Sequence, residues 1–382
     1  MTPFGIAGPG RILFGRGEAA KAPALIAGFG LRGVVVHGAN AERAGWLVQG
    51  LQAAGCQVLT LPCPTEPTLP MLTAALADAR AFGAQWVAAL GGGAALDLGK
   101  AVAALVPAPG PVRDHLEVVG RGLPLSAAPL PFIAIPTTSG TGAEATKNAV
   151  IGVPDQGRKV SVRDDRMLAR IAIVDPALTD HTPRGVTLAS GLDALTQVIE
   201  PFVCTRATPF TDALTRPAIP MGISALTRLM QGEQAQARDD LAWVSLSGGL
   251  ALANSGLGAV HGLAGVIGGL IPAAHGAICG VLLGPVLDLN RARADGAARV
   301  LLDEVCGMLA QTLGCDACDA PVALSRWAAA SGLPTLAALG LDPTRHAAVA
   351  EAAILSSSMK ANPAALTTAD LVAALRRADA TG

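Results

Sequence analysis

The sequence has little charge and almost no net charge. Charged residues make up 15% of its 382 residues, and the formal net charge at pH 7 is −1. Such a chain creates no field that would attract nucleic acid or an anionic membrane, and no basic stripe is present. Hydrophobic residues make up 51%, which excludes a disordered chain. These values favour a globular protein that acts on a small molecule, with neither nucleic acid nor membrane as a partner.

Signals for export are also lacking. The N-terminal residues MTPFGIAGPGRILFGRG do not contain a basic region followed by the apolar run of a secretory signal. The seven cysteines are an odd number without the spacing of a disulfide framework, which favours reduced thiols. We therefore expect a cytoplasmic protein.

One long segment lacks charge altogether. Residues 241–287 contain no Asp, Glu, Lys or Arg, and by hydropathy alone they resemble a membrane-spanning segment. The segment nevertheless carries His261 and His275, and no Lys or Arg lies between Arg238 and Arg291 to anchor a membrane interface. Buried helices of a globular domain explain the segment better.

The chain is long enough for two domains, because single cores stop growing near ~250–300 residues. Its first ~180 residues alternate short apolar runs with helical stretches, which is typical of a parallel α/β sheet. After Pro183 only helical patterns remain. We predict an α/β domain at 1–180, an all-α domain at 181–382, and a cleft between them. The predicted strands are 32–38, 56–61, 86–90, 131–136 and 171–175, and the predicted helices of the first domain are 41–54, 68–82 and 94–106.

Two polar loops follow predicted strands. The strand at 86–90 runs into Gly91, Gly92 and Gly93 and then into a helix, whose N-terminus offers unpaired N–H groups to an anion. The glycines do not form the G-x-G-x-x-G fingerprint, so a tight turn that binds nothing is an equal alternative. The second loop, IPTTSGTGAEAT at 135–146, is rich in hydroxyl groups. Because loops after parallel strands meet at one sheet edge, the pair suggests a nucleotide site.

The helical half contains an acid and an amide four residues apart. Asp193 and Gln197 share a helix face at this spacing. Ser190 and Asp193 also have the spacing of a capping box, which predicts a helix start and offers a purely structural role for the carboxylate.

Two histidines provide the remaining candidate ligands. On one continuous helix the 14-residue spacing of His261 and His275 would separate them by about 21 Å. Two glycines and Pro272 break that helix, so both imidazoles can reach one point. Buried histidines in an uncharged segment need partners, and one carboxylate with two imidazoles is a ligand set of catalytic zinc. Hydrogen-bonded core histidines are the alternative.

Several segments together resemble the iron-containing (group III) alcohol dehydrogenase family, from about residue 4 to 375. These segments are GGGAALDLGK, PTTSGTGAEAT, RKVSV followed by AIVDPALT, GLDALTQVIE, VHGLAGVIG, AAHGAICG and SSSMKANPAALTTADL. The resemblance implies a Rossmann-like N-terminal domain and a helical C-terminal domain, the dehydroquinate synthase-like fold. It also implies an oxidoreductase that interconverts an alcohol and an aldehyde or ketone by hydride transfer, with NAD or NADP and a divalent metal, Fe²⁺ or Zn²⁺, in the cleft. A homodimer is the expected assembly.

The resemblance also implies roles for individual residues. Metal ligands are expected at Asp193, Gln197, His261 and His275, of which Asp193, His261 and His275 carry the catalysis. Cofactor contacts are expected at Gly38, Asn40, Gly92, Gly93, Asp97, Lys100, Thr137, Thr138, Thr141, Lys159 and Leu178. Cys204 and Cys279 lie near ligand positions in the sequence; small buried packing residues are the favoured interpretation, and reactive thiols are the alternative.

The metal site departs from the family pattern at two positions. Gln197 replaces a histidine, and an amide oxygen is a weaker ligand than an imidazole, so iron affinity should suffer. Glycerol dehydrogenase and dehydroquinate synthase relatives hold zinc with one acid and two histidines, so Asp193 and the two histidines of this chain can suffice without Gln197. Maleylacetate reductase relatives suggest a site without metal. Gly265 replaces a histidine thought to relay the alcohol proton, which leaves that step to water or the cofactor ribose.

The cofactor site departs from the pattern at two further positions. Ala94 replaces a serine, which removes one phosphate contact. Gly38 replaces the acid that often contacts the adenosine ribose, and this change makes NADP(H) tolerable because an acid there repels a 2′-phosphate.

Alternative activities make different demands on the sequence. A metal-free reductase of the maleylacetate type needs cations for a dicarboxylate, for which Arg163, Arg166 and Arg206 are candidates. A dehydroquinate-synthase-like lyase needs Lys and Arg near the metal, and residues 241–290 contain none. A nucleotide-binding protein without catalysis is the third alternative, suggested by Gln197 and Gly265.

Overall fold

The protein is represented by a computed structural model that describes residues 3–380. These residues form two compact units. The sheet unit contains residues 7–138 and 142–179, and the helical unit contains residues 180–380 together with the segments 3–6 and 139–141. Every strand of the described residues lies in the sheet unit. The predicted combination of an α/β N-terminal part with an all-α C-terminal part is confirmed.

The main sheet has six parallel strands in the order β1-β8-β5-β4-β2-β3. Strands β6 and β7 form a separate antiparallel pair. The strands are β1 (Ile12–Phe14), β2 (Arg32–His37), β3 (Gln57–Pro62), β4 (Trp86–Gly91), β5 (Phe132–Pro136), β6 (Asn148–Val153), β7 (Arg158–Arg163) and β8 (Ile171–Val174). Strands β1, β6 and β7 were not predicted from the sequence, whereas the other five were predicted within one residue at either end.

Both faces of the main sheet are buried. Val34 and Val36 of β2 point into one apolar core, and Val35 between them points into the other. Residues of β4 and β5 are likewise buried along their whole length. Burial on both faces explains why these strands appear in the sequence as continuous apolar runs rather than as alternating patterns.

The described residues contain 13 α-helices. Those of the sheet unit are α1 (Ala22–Ala27), α2 (Gly45–Ala53), α3 (Leu69–Phe82) and α4 (Gly93–Leu105). Those of the helical unit are α5 (Arg184–Val203), α6 (Pro209–Gln231), α7 (Ala235–Asn254), α8 (Ala259–Leu270), α9 (His275–Arg293), α10 (Gly296–Leu313), α11 (Ala320–Ala330), α12 (His346–Ala353) and α13 (Thr368–Ala380).

Helix α5 is the central element of the helical unit. It packs against α6, α7 and α9, and its residues 191–203 are buried on all sides. A helix that is apolar around its whole circumference belongs in a core. Any polar side chain in its second half therefore needs a partner inside the protein.

The uncharged segment 241–287 folds into helices of this core, as expected. Much of α7, α8 and α9 is buried in the apolar core of the helical unit. In the described part of the chain, no single helix is long and apolar enough to span a membrane. By length and composition, α7 and α8 meet that requirement only as a pair bent by 96°.

Candidate functional site

Helix α5 places Asp193 in the interior of the helical unit. The predicted capping box at Ser190 and Asp193 is wrong, because α5 begins at Arg184 and both residues lie within it. Ser190 Oγ instead contacts the backbone oxygen of Thr187 at 3.5 Å. With backbone N–H groups engaged along the helix, the Asp193 carboxylate is not required as a cap. Its partners must be side chains of other elements.

The break between α8 and α9 brings two histidines to Asp193. Helix α8 ends at Leu270 and α9 begins at His275, so the predicted break is confirmed. His261 Nε2 lies 3.6 Å from Asp193 Oδ1, and His275 Nε2 lies 3.9 Å from the same oxygen. The two imidazole centroids are 5.6 Å apart. The carboxylate and both imidazoles therefore converge on one point inside the helical unit.

Two glycines allow α9 to approach α5 closely. A Cβ atom at Gly276 would lie 2.3 Å from the backbone oxygen of Ala189 and 3.1 Å from Asp193 Cβ. One turn further on, a Cβ atom at Gly280 would lie 2.6 Å from a methyl group of Leu192. The backbone contact at Gly276 leaves room only for hydrogen, whereas a Cβ atom at Gly280 would require the Leu192 side chain to move, so Gly276 in particular allows His275 to come near Asp193.

Glu200 orients His261 and was missed by the sequence analysis. Its Oε2 lies 2.7 Å from His261 Nδ1, and its carboxylate also accepts hydrogen bonds from the backbone N–H groups of Val260 and His261. Glu200 thus caps the N-terminus of α8. When His261 Nδ1–H donates to this carboxylate, the Nε2 lone pair faces Asp193.

The electrostatics at this point favour positive charge. Burial acts to raise the pKa of Asp193, but His261 and His275 hold it below its ordinary value, so the carboxylate is ionised at neutral pH. Burial opposes the charged form of His261, but Asp193 and Glu200 outweigh it and raise its pKa to about 9. Both shifts result from carboxylates and imidazoles that share a buried site.

A cysteine belongs to the same cluster. Cys279 is buried, as expected for a packing residue, but its Sγ lies 3.5 Å from His275 Nε2. The four ligand atoms of Asp193, His261, His275 and Cys279 all lie within 4.8 Å of one another. Cys204, by comparison, is buried outside this cluster.

Gln197 lies one turn after Asp193 and is buried beside it on α5. Its amide nitrogen donates a hydrogen bond to the backbone oxygen of Thr141, which belongs to the helical unit. A metal-ligating role for its amide oxygen stays a prediction.

The cluster fits a divalent metal. Among residues 3–380, Asp193 Oδ1 and His261 Nε2 are buried without a hydrogen-bond partner. These two atoms lie 3.6 Å apart, too far for a good hydrogen bond, and a metal ion between them would satisfy both. Ligand atoms at about 2.0–2.3 Å from a tetrahedral metal lie roughly 3.3–3.8 Å from one another. The measured separations are close to this range.

Replacing Glu200 with glutamine should weaken metal binding by about 10–100-fold. The amide keeps the size of the side chain but can present its NH₂ group to His261 Nδ1, which would favour the wrong tautomer. Metal titration followed by equilibrium dialysis measures the affinity. Glu233→Gln is the matched control, because Glu233 pairs with Arg238 in the same unit and outside the cluster. Equal affinities of Glu200→Gln and wild type would contradict the orienting role.

The polar loops of the sheet unit lie where nucleotides bind in this type of sheet. The strand order reverses between β2 and β4, and β4 and β5 are neighbours with Gly91 opposite Pro136. Gly92 is the N-cap of α4 and has no side-chain cap, so the first N–H groups of the helix face the loop. A Cβ atom at Gly92 would lie 3.2 Å from Thr138 Oγ1. The predicted meeting of the two loops at one sheet edge is confirmed.

The other predicted cofactor residues mostly have partners within the sheet unit. Lys100 is buried and donates hydrogen bonds to Ala143 O, Thr146 Oγ1 and Asn148 O at 2.7–2.8 Å. Asp97 Oδ2 accepts a hydrogen bond from the backbone N–H of Val150 at 3.0 Å. These contacts join α4 to the loop after β5 and to β6. They favour a structural contribution of Asp97 and Lys100 to the loop.

The remaining candidates are distributed over the sheet unit. Lys159 on β7 forms an ion pair with Glu66. Asn40 Oδ1 accepts a hydrogen bond from Glu42 N and caps a short 3-10 turn. A Cβ atom at Gly38 would meet nothing within 4 Å, so this position has room for a side chain. Leu178 packs partly buried against the core behind the sheet.

The buried charges near Lys100 predict a pH-dependent stability. Burial raises the pKa of Glu144 to about 7 and that of Asp97 to about 6, and burial lowers the pKa of Lys100. A carboxyl group whose folded-state pKa is raised binds its proton more tightly when folded. Its stabilising contribution to the free energy of unfolding is therefore complete below the unfolded pKa near 4.5 and is lost as the pH rises to about 7.

Glu144→Gln should remove this loss of stability at higher pH, because glutamine does not titrate. We expect the variant to gain about 1–2 kcal/mol in unfolding free energy relative to wild type between pH 5 and pH 8, or roughly 2–8 °C in Tm. Thermal unfolding at both pH values measures the gain. Glu42→Gln, an exposed replacement in the same unit, should show no such dependence. A Tm difference between Glu144→Gln and wild type that is the same at both pH values would contradict the assignment.

One protein family matches both the sheet-forming and the helical part of the chain. The family described as "Iron-containing alcohol dehydrogenase" matches residues 9–176, and "Fe-containing alcohol dehydrogenase family, C-terminal" matches residues 187–379. The chain is 33% identical over 366 residues to "Probable alcohol dehydrogenase EutG" of Escherichia coli (strain K12), covering 95% of this chain and 90% of that one.

Two further proteins are similar over most of their length. The "4-hydroxybutyrate dehydrogenase" of Cupriavidus necator is 32% identical over 347 residues, which cover 89% of this chain and 88% of that protein. A crystal structure of 1,3-propanediol oxidoreductase superposes with a TM-score of 0.88 at 25% identity, covering 99% of this chain and 100% of that one.

Proposed function

Because the chain belongs to the iron-containing alcohol dehydrogenase family, we propose that it interconverts an alcohol and an aldehyde or ketone with the help of a divalent metal. Membership makes the chain an alcohol and aldehyde oxidoreductase. The proposal adds that Asp193, His261 and His275 hold the metal and that NAD or NADP is the redox cofactor.

One observation carries the metal part of the proposal. Asp193 Oδ1 and His261 Nε2 are buried atoms without a hydrogen-bond partner in the described chain, and they face each other at 3.6 Å. Glu200 Oε2 lies 2.7 Å from His261 Nδ1 and orients the ring so that Nε2 points to Asp193. A structural pair of histidines would donate hydrogen bonds instead. When bound, the metal would polarise the substrate oxygen, and the nicotinamide would supply or accept the hydride.

The chain's own residues would provide binding and orientation. Asp193 supplies negative charge against the cation, and the two histidines supply neutral nitrogen ligands from separate helices. In the sheet unit, the N–H groups at Gly92 and Gly93 would bind the pyrophosphate of the cofactor. Thr137, Thr138, Lys159 and Leu178 would complete that site, and Thr141 would contribute from the helical unit. The open space at Gly38 is compatible with the 2′-phosphate of NADP.

Two further properties belong to the same proposal. We propose a cytoplasmic enzyme, because the cysteines of the described residues form no disulfide. We also propose a homodimer, which the molar mass in light scattering would test.

The test of the proposal is chelation followed by reconstitution. The purified protein should oxidise NADH or NADPH with members of an aldehyde panel, should lose most turnover after EDTA treatment, and should regain it with Fe²⁺ or Zn²⁺. Full turnover of metal-free protein would overturn the metal part and favour the maleylacetate-reductase-like alternative. Two cations proposed for that alternative are already paired, Arg163 with Glu117 and Arg166 with Asp164.

A further inference from the structure

Cys279 lies on the same helix face as His275. The two residues are four positions apart on α9, which places their side chains one turn above each other. Cys279 Sγ is 3.5 Å from His275 Nε2 and belongs to the cluster whose ligand atoms lie within 4.8 Å of one another. The cysteine is therefore within ligand distance of the same point as the carboxylate and both imidazoles.

The side chains around this point indicate a ligand position independently of the cysteine. The side chains of Asp193 and His261 are only 3% and 8% exposed, and in the described chain Asp193 Oδ1 and His261 Nε2 have no hydrogen-bond partner. Both atoms are directed at the point that Cys279 Sγ borders. A metal ion at that point would satisfy both buried atoms.

The backbone around Cys279 holds it in place. Gly276 and Gly280 flank it on α9 and press that helix against α5, where a Cβ atom at either position would require α5 atoms to move. Since Cys279 is fully buried between these contacts, its Sγ can reach the point without rearrangement of the helix.

The Gln197 side chain is held by contacts with residues that do not belong to the metal cluster. Its amide nitrogen donates to the backbone oxygen of Thr141, which fixes the plane of the amide. Gly248 of α7 packs against it, because a Cβ atom there would lie 3.3 Å from Gln197 Cγ. A neutral amide oxygen is also a weaker ligand for iron or zinc than a thiolate.

We propose that Cys279, rather than Gln197, is the fourth protein ligand of the metal. The ligand set is then one carboxylate, two imidazoles and one thiolate, and Gln197 supports the segment 139–141. This inference rests on the proposed function, because it assigns a ligand to the metal of that site. On binding, the S–H bond of Cys279 is replaced by a sulfur–metal bond, and one proton leaves to the solvent.

A thiolate changes which metal the site prefers. Thiolate is a soft ligand that suits zinc, and zinc also binds nitrogen and oxygen ligands more tightly than ferrous iron does. We expect the purified chain to bind Zn²⁺ at least tenfold more tightly than Fe²⁺. Substrate oxygen could still enter, because zinc sites expand to five ligands during catalysis.

Cobalt is the probe that tests the assignment. Metal-depleted full-length protein is titrated with Co²⁺, and its absorption spectrum is recorded. Wild type should show a sulfur-to-cobalt charge-transfer band in the near ultraviolet. Cys279→Ser should lose that band and bind Co²⁺ roughly 100-fold or more weakly, since loss of a direct ligand should cost at least as much as loss of its supporting residue.

Matched variants separate the possible failures. Cys204→Ser changes another buried cysteine and should keep the band, and Gln197→Leu should also keep it. Cys279→Ala provides a second variant if Cys279→Ser unfolds. If wild type binds cobalt without showing the band, and Cys279→Ser binds cobalt with unchanged affinity, the inference is overturned. The proposed function then stays intact. A wild type that binds no cobalt would overturn the metal part of the proposed function and the inference with it.

Discussion

Asp193→Asn should lower turnover by about 1000-fold or more and should abolish stoichiometric binding of divalent metal. Asp193 is the only carboxylate in the described metal cluster, so its replacement removes the one carboxylate charge that faces the cation. A metal that polarises the substrate oxygen contributes several kcal/mol to the transition state, and each ~1.4 kcal/mol corresponds to a factor of ten in rate. Asparagine has nearly the same shape, so the packing of α5 should persist.

The electrostatics explain why the effect should be large. His261 and His275 keep the pKa of Asp193 below its ordinary value, although burial acts in the opposite direction, so the carboxylate is ionised before any metal arrives. A neutral amide in its place removes the negative charge that lies between the two imidazoles and offers a weak oxygen ligand. Elemental analysis after dialysis measures metal content, and NAD(P)H absorbance measures turnover.

The control is Asp316→Asn, which makes the same chemical change at an exposed position of the helical unit. It should leave metal content, turnover and unfolding temperature unchanged. If Asp193→Asn retains one metal per chain and wild-type turnover, the carboxylate only supports packing. If it is metal-free but fully active, the reaction does not use the metal.

The sheet could be predicted because its strands are buried on both faces. Strands such as β4 and β5 consist of apolar residues between Gly or Pro, and this pattern is visible without any knowledge of the partners. Strand β1 has three residues and is half exposed, so it lacks such a run. The pair β6 and β7 alternates buried with exposed residues and includes several charges, which resembles a polar loop in a single sequence.

The beginning of α5 shows why local signals mislead. Ser190 and Asp193 have capping-box spacing, but the residues before them continue the helical pattern to Pro183, which has no N–H to contribute and ends the preceding loop. Which of two adjacent start signals is used depends on the tertiary packing of α5. The corrected start matters for the site, because it leaves the Asp193 carboxylate without backbone partners.

Glu200 and Cys279 were missed for a different reason. Glu200 follows Asp193 by seven residues on a buried helix, so the sequence did contain a signal, a second carboxylate on the same face. Its function, however, depends on where the N-terminus of α8 lies. Cys279 likewise resembles an ordinary packing residue until the approach of α9 to α5 is known. Only contacts between distant elements show that Glu200 reaches His261 and that the Cys279 thiol lies beside His275.

Gly276→Ala should disrupt the site without changing any ligand. The added Cβ atom would lie 2.3 Å from the backbone oxygen of Ala189, which must move by about 1 Å to restore an ordinary contact. His275 directly precedes this position, so it would move away from Asp193 by a similar amount. We expect a loss of about 1–3 kcal/mol in stability and roughly 100-fold in kcat/KM, because a displacement of this size removes catalytic alignment.

The control for this prediction is an alanine substitution at a helical glycine that has open space around it, because it shows the general effect of adding a methyl group to a helix. Gly307 lies within α10, and a Cβ atom there would meet nothing within 4 Å. Gly307→Ala should therefore stabilise the protein by about 0.5–1 kcal/mol, since alanine favours helix, and should leave metal affinity unchanged. Weakened metal binding in Gly276→Ala alone would show that the close approach of α9 to α5 positions His275. Equal metal affinity in both variants would mean that His275 reaches the metal independently of this contact.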